Sequence, residues 1–392
     1  MSDTVEPVVL VVDDTETNVD ILLELLGDEY DVRVAMDGLS AMEQIAHQAP
    51  DLVLLDIMMP GMSGIEVLEK LKNDLHLRHI PVIMISAVDE MKTVVHCIEH
   101  GAEDYLQKPF EPVLLRARIR ASLEKKRFHD AEQDYLRTIM ETQEILNDDL
   151  KEAAEYVRSL LPEPLSGSVA ARWRFIPSTH LGGDAFGYYW LDDEHFVIFL
   201  LDVCGHGVGA ALLSISIMNV IRSGSLPGTD FTDPSAVLDA LNKRFQMDTQ
   251  HDKYFTAWYG VYHSKTGLLT YGNAGHPPPV LFNGPSEKEA LVHKLRAPGQ
   301  PIGWELESVY ENDSCQCDDF ARLYVFSDGV YEIKKPAGAM LTYYEFVQLL
   351  GVPAGHPRGI DEIVSSVCAL QGSEHFVDDF SLLEINFSEK SD

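Results

Sequence analysis

Residues 196–207 read Phe196-Val-Ile-Phe-Leu-Leu-Asp202-Val-Cys204-Gly205-His206-Gly207. A continuous apolar run rich in β-formers and closed by turn residues reads as a buried strand. The run ends on one acid, Asp202. After the glycine turn, Val208 to Met218 is small and apolar and reads as a packed helix. A strand end holds a carboxylate rigidly, and glycines let backbone oxygens approach an ion. Three more stretches set an acid at a turn beside an apolar strand: Leu181-Gly-Gly-Asp184, Phe326-Ser-Asp328-Gly329 and Val377-Asp378-Asp379-Phe380. Four such acids, distant in sequence, predict convergence on hard divalent cations, which prefer oxygen ligands.

At 392 residues the chain is long enough for two or three domains. Its formal charge of −33, from 63 acids against 30 Lys and Arg, argues against general nucleic-acid binding. Cys315 and Cys317 are the only close pair of five cysteines, and Cys-x-Cys without a second pair is poor zinc spacing. Reduced thiols fit better. The chain opens with no secretory signal and carries no 18-residue apolar run, so the expectation is a cytoplasmic protein without a membrane partner.

Over residues 1–122, five short apolar runs alternate with amphipathic segments. The expected strands are Val8–Val12, Val32–Ala35, Leu52–Leu55, Val82–Ile85 and Asp104–Leu106. Such alternation predicts a doubly wound five-stranded parallel sheet covered on both faces, with its ligand at the carboxyl ends of the strands. Those ends carry Asp13-Asp14, Asp56, Ser86 and Lys108. Three close carboxylates repel unless a divalent cation joins them. Lys108 supplies a positive charge for a carboxylate or phosphoryl oxygen. A carboxylate can also attack phosphorus and form an acyl phosphate. Taken singly, Asp13-Asp14 before Thr15 reads equally as a helix cap, Ser86 as another cap, and Asp56 before Met-Met-Pro-Gly as a turn residue.

Together these residues resemble the receiver domain of two-component response regulators, a flavodoxin-like fold. The resemblance implies that Asp56 accepts a phosphoryl group from a histidine kinase or phosphotransfer protein. It implies Mg²⁺ bound by Asp13, Asp14, Asp56 and the Met58 carbonyl, with Ser86 and Lys108 on the phosphoryl oxygens. Tyr105 matches the switch aromatic, and Lys108-Pro109 the usual cis peptide.

Residues 123–164 show no strand pattern. Heptad reading places Phe128, Glu132, Tyr135, Ile139, Thr142, Leu146, Asp149, Ala153, Tyr156 and Leu160 at the a and d sites. Seven of these ten are apolar, which fits an imperfect coiled coil and a homodimer, or a helix packed on its own domains.

From residue 165 to 392, strands are expected at 171–176, 195–202, 255–262, 268–273, 278–282, 321–327 and 380–386. Helices are expected near 208–223, 234–247, 343–350 and 359–370. This segment resembles the metal-dependent protein phosphatases of the PPM family, in particular the bacterial sigma-factor-regulator branch. The matching pieces are Gly182-Gly-Asp184, Asp202-Val-Cys-Gly-His-Gly207, Tyr271-Gly-Asn-Ala-Gly-His-Pro277, Gly299-Gln-Pro-Ile-Gly303, Ser327-Asp-Gly-Val330 and Asp378-Asp-Phe-Ser-Leu382. The resemblance implies an α/β β-sandwich that hydrolyses phosphoserine or phosphothreonine with two Mn²⁺ or Mg²⁺ ions. Asp202 would bridge them. Asp184, Asp328 and Asp378 would complete the sites, with Gly205 binding through its carbonyl or a water. The implied substrate is a phosphorylated anti-sigma-factor antagonist, as in partner switching. His206, beside the site, reads as a structural support of it, with aid to the leaving group as the alternative, and Asn273 and His276 read as shaping the fold rather than catalysing. Gly187 stands where many relatives carry an acid, and Cys204 where serine is frequent.

Two other outputs compete. Gly-Gly-Asp-Ala-Phe is similar to the diguanylate-cyclase signature, but Ala185 stands where that signature needs an acid. A non-catalytic binding module would have no use for the four acids. The order of the chain predicts that phosphorylation of Asp56 changes hydrolysis through the helix at 111–164.

Overall fold

The computed structural model describes residues 6–87, 91–109, 111–178, 181–336, 338–351 and 357–387. The chain divides into two compact units, residues 1–144 and 145–392. In the first, β1 (Val8–Val12), β2 (Asp31–Ala35), β3 (Leu52–Asp56), β4 (Val82–Ser86) and β5 (Asp104–Gln107) alternate with α1 (Glu16–Leu26), α2 (Gly38–His47), α3 (Gly64–Asn73) and α4 (Met91–Glu99). The sheet is parallel in the order β2-β1-β3-β4-β5. This is the flavodoxin-like order, and it brings the carboxyl ends of all five strands to one edge. β3 and β4 are buried along their whole length because helices cover both faces. Asp37 caps α2 by accepting from the Leu39 and Ser40 amides, and Ser63 and Glu66 form a capping box on α3.

One helix, α5, runs from Pro112 to Ser159. Leu115, Ile119, Ser122 and Leu123 are its buried positions. Their spacing is that of one helical face, packed on the first sheet beside Val9, Leu54 and Ile85. From Glu124 onward no residue of α5 is buried. The expected heptad sites Phe128, Tyr135, Ile139, Leu146 and Tyr156 all stand exposed.

The second unit stacks two five-stranded antiparallel sheets. One contains β7 (Asp184–Trp190), β8 (His195–Val203), β9 (Phe255–His263), β10 (Leu268–Ala274) and β13 (Asp313–Gln316). The other contains β6 (Val169–Ile176), β11 (Val280–Gly284), β12 (Leu291–Lys294), β14 (Phe320–Phe326) and β15 (Phe380–Phe387). The facing sides share one apolar core that includes Phe175, Phe186, Leu281, Leu323 and Leu383. Burying each such phenylalanine contributes about 1.5–3 kcal/mol. Helices α6 (Val208–Arg222) and α7 (Pro234–Arg244) cover the first sheet, and α8 (Tyr343–Gly351) and α9 (Ile360–Gln371) cover the second. The architecture is the expected receiver-type sheet, long helix and α/β sandwich.

Three strands went unread in the sequence: β7, β12 and β13. In β7, Asp-Ala-Phe-Gly-Tyr-Tyr-Trp is neither alternating nor uniformly apolar. Its Gly187 lies opposite Phe199, whose ring sits where a Cβ would be, at 2.5 Å. An acid could not occupy this position without displacing that ring.

Candidate functional site

In the first unit, the strand ends assemble one acidic rim. Lys108 Nζ lies 2.6 Å from Asp13 Oδ2 and 2.9 Å from Asp56 Oδ2. Asp13 Oδ1 also accepts from the Thr15 amide and Asn18 Nδ2, both at 3.0 Å. Asn18 was not anticipated from the sequence; its place one turn into α1 is the only signal that points to it. Donor oxygens of Asp13, Asp14 and Asp56 all lie within 4.8 Å of one another. Burial raises the Asp56 pKa, Asp13 adds to the rise, and Lys108 and the Met58 amide oppose it. Burial works against the Lys108 ammonium, but its bonds to Asp13 and Asp56 win and raise its pKa. A cavity of about 630 Å³ opens here, lined by Asp14, Asp56, Met58, Ser86 and Lys108 among others. Ser86 is fully buried at the end of β4, Tyr105 is half-buried on β5, and Lys108-Pro109 is cis. Gly64 is needed because a Cβ there would sit 1.9 Å from the Asp56 carbonyl oxygen. The loop after Asp56 therefore folds tightly back under β3.

In the second unit, antiparallel pairing sets Asp184, first in β7, directly opposite Asp202 near the end of β8. Directly paired like charges repel. Asp184 is buried, and neither of its carboxylate oxygens has a hydrogen-bond partner. Burial pushes its pKa well up, and Asp202 and Asp379 push further, while the nearby Ser381 and Ser327 hydroxyls work the other way. Burial also raises Asp202 well above the ordinary carboxylate range, helped by Asp328 and Asp378. Asp328 is raised to about 6 by burial, then by Glu332 and Asp378. An orphaned, buried carboxylate among mutually repelling acids fits an oxygen-ligated divalent cation. The four acids are more widely spread than the receiver trio: among the described residues, no three of them offer oxygens within 4.8 Å of one another.

The glycines near these acids have distinct reasons. Gly205 and Gly207 adopt φ of 84° and 86°, the left-handed region that other residues avoid. A Cβ on Gly182 would meet the Asp379 carboxylate at 2.6 Å, and one on Gly183 the Val203 carbonyl oxygen at 2.7 Å.

Asp379 itself is the residue that motif reading passed over. It is buried beside the exposed Asp378. Its Oδ1 accepts from the Ser178 amide at 2.8 Å and hydroxyl at 3.0 Å, and its Oδ2 from the Gly183 amide at 2.5 Å. It thereby ties the second sheet to the first beside Asp184. Lys253 was also missed. Its Nζ reaches the Cys204 carbonyl at 3.3 Å and lies 3.5 Å from the place of a Cβ on Gly205. The two residues before it, His251 and Asp252, hold positive φ of 54° and 58°, an unusual backbone for non-glycine residues. His206 is exposed. Asn273 and His276 are buried and bond each other across their turn, Asn273 Nδ2 to the His276 carbonyl at 2.9 Å and the His276 amide to Asn273 Oδ1 at 2.8 Å. Cys204 is half-buried, and its Sγ accepts from the Tyr254 amide at 3.3 Å. Cys315 and Cys317 are free thiols.

Two family models match separate parts of the chain. The family described as stage II sporulation protein E (SpoIIE) matches residues 192–388, and the response regulator receiver domain matches residues 9–120. The response regulator PleD of Caulobacter vibrioides is 47% identical over 114 residues, which is 29% of this chain and 25% of that protein. The DNA-binding response regulator MtrA of Mycobacterium tuberculosis is 40% identical over 131 residues, 33% of this chain and 56% of that one. The chain thus spans about a quarter to just over half the length of these relatives. The SiaA-PP2C domain of Pseudomonas aeruginosa, 21% identical, aligns with a TM-score of 0.52 over 63% of this chain and 99% of that domain, a likeness of fold. No helix among the described residues is long and apolar enough to cross a membrane.

Proposed function

The chain belongs to the stage II sporulation protein E family and carries a receiver domain before it, and from that premise we propose a phosphatase whose output is set by phosphorylation of Asp56. The donor is a histidine kinase or phosphotransfer protein. The receiver comprises residues 1–122, the linker 123–164 and the phosphatase domain 165–392. The substrate is a phosphoserine or phosphothreonine protein, and the six family motifs favour an anti-sigma-factor antagonist.

The observation that carries the reading is Asp184, buried, unpartnered and paired across the strands with Asp202. Asp184, Asp202, Asp328 and Asp378 would hold two Mn²⁺ or Mg²⁺ ions, with Asp202 shared and Gly205 assisting. When bound, such ions lower the pKa of a ligated water and neutralise charge on the phosphoryl group. The protein's own part is to fix the acids on strand ends and to hold the glycine turn open to the substrate. Lys253 places an ammonium beside that turn, where a phosphoryl oxygen would find it. In the receiver, Asp13, Asp14, Asp56 and the Met58 carbonyl would hold Mg²⁺. Ser86 and Lys108 would engage the phosphoryl oxygens, with Tyr105 responding. The exposed apolar positions of α5 favour a homodimer through that helix.

The test is phosphate release from a phosphoserine protein with Mn²⁺, with and without chelator. Outer partners of metal ligands contribute about 10–100-fold, so Asp202→Ala should cost more than about 100-fold while the domain stays folded. In the same assay Lys253→Ala should raise KM more than it lowers kcat. Full activity of Asp202→Ala would remove the assignment of this site, and an unchanged KM in Lys253→Ala would remove that residue from substrate binding.

A further inference from the structure

A second kind of metal donor set lies on the receiver, away from its carboxylate rim. Glu69 is on α3, His96 is on α4, and His100 follows α4 by one residue. The His100 amide still bonds the His96 carbonyl at 3.1 Å, so the two histidines keep helical i,i+4 spacing and share a face. Their rings lie 4.0 Å apart between centroids. His100 Nε2 is 3.7 Å from Glu69 Oε1, and one donor atom from each of the three residues lies within 4.8 Å of the others.

The tautomer of His100 is fixed by its neighbour. His100 Nδ1 sits 2.7 Å from the His96 carbonyl oxygen, which can only accept. Nδ1 therefore carries the hydrogen, and in the neutral ring Nε2 presents its lone pair toward Glu69. A backbone carbonyl on the far nitrogen is the usual support for a metal-ligating histidine. Two imidazoles and one carboxylate are a borderline donor set, suited to Zn²⁺ rather than to Mg²⁺. A tetrahedral ion with bonds of about 2.1 Å needs donors about 3.4 Å apart. The Glu69–His100 pair is already close to that, and side-chain rotation at a half-exposed surface can supply the rest.

We propose that Glu69, His96 and His100 form a binding site for a Zn²⁺-class dication, with water as fourth ligand, that clamps α3 to α4. None of these residues serves the phosphoryl-transfer or hydrolytic sites, and the strongly negative chain draws cations in general.

The test is Zn²⁺ titration of the full chain against a chromophoric chelator, with about 10 mM Mg²⁺ present to occupy the carboxylate-only sites. Wild type should take up one tight equivalent that His96→Ala and His100→Ala each weaken by more than about 100-fold, and Glu69→Gln by at least about 10-fold. The double variant Cys315→Ser/Cys317→Ser should keep it. Co²⁺ should give a ligand-field absorption band in wild type that is missing from His100→Ala. If the tight equivalent survives in both histidine variants, or if wild type takes up none, the proposal is wrong and Glu69–His100 is a surface ion pair.

Discussion

Asp378 and Asp379 are neighbours in the chain, yet only Asp379 is buried and bonded to Ser178 and Gly183. Removing that carboxylate strands the buried Gly183 amide and the two half-buried Ser178 donors, a buried one being worth about 1–3 kcal/mol. Asp379→Ala should therefore lower unfolding free energy by about 3 kcal/mol or more, while Asp378→Asn stays within about 0.5 kcal/mol and loses hydrolysis. Urea denaturation in chelator, alongside phosphate release, separates the two; equal destabilisation would contradict the division of labour. His276 makes a pH prediction. Burial lowers its pKa from 6.5 to about 3, so the ring stays neutral in the fold while the unfolded chain takes up a proton. The unfolded state binds more protons between those values, so stability rises with pH there. The contribution is complete above about 6.5 and is lost as pH falls toward about 3. Relative to His276→Gln, wild type should lose roughly 1.4 kcal/mol per unit below pH 6.5. Parallel slopes for the two proteins in denaturation between pH 5 and 7 would refute this.

Among the elements, α5 separates what a sequence shows from what it hides. Leu115 and Ile119 pack on the sheet within the stretch read as the receiver, and Leu123 carries the same buried face one residue past its expected end. Past them, the heptad pattern is clear in the residues, but a single chain gives it nothing to pack on. Exposed apolar side chains in heptad register are what the proposed interface between copies would use. Leu146→Asp should therefore leave the thermal stability of each unit unchanged while abolishing a concentration-dependent dimer in sedimentation; a dimer that survives the charge would exclude this helix face. Strand and helix positions were legible wherever apolar periodicity was clean, as in β3, β8 and α6. The receiver acids were legible because parallel order sends the carboxyl ends of the strands to one edge. Asp379 and Lys253 were not, because their meaning lies in contacts with Gly183 and the Cys204 carbonyl, distant in sequence. The strand β7 was missed because Gly187 interrupts it, and the reason for that glycine is a ring on the neighbouring strand.

For the whole molecule, the proposal requires that charge added at Asp56 alter hydrolysis at Asp184 and Asp202. On that proposal a phosphoryl group would bring acceptor oxygens to Lys108 and Ser86 and would bias the receiver between two arrangements. Turnover and sedimentation should change with a small phosphodonor in wild type and stay constant in Asp56→Ala, which should take up no phosphate. Activation with dimer formation is the expected sign. Two residues inserted at Asn147 turn the following helix by roughly 200° and should break the response. An identical response in the insertion variant would mean that the units are merely tethered. The bare stretch of α5 has a further consequence. Its last buried residue is Leu123, and the anchors of the second unit begin where Arg222 bonds the Leu160 carbonyl and Trp173 the Pro162 carbonyl. No core on either side measures the span between, so length is neutral there and only phase carries information. A whole heptad inserted at Asn147 should therefore leave the response to the phosphodonor intact, where the two-residue insertion breaks it.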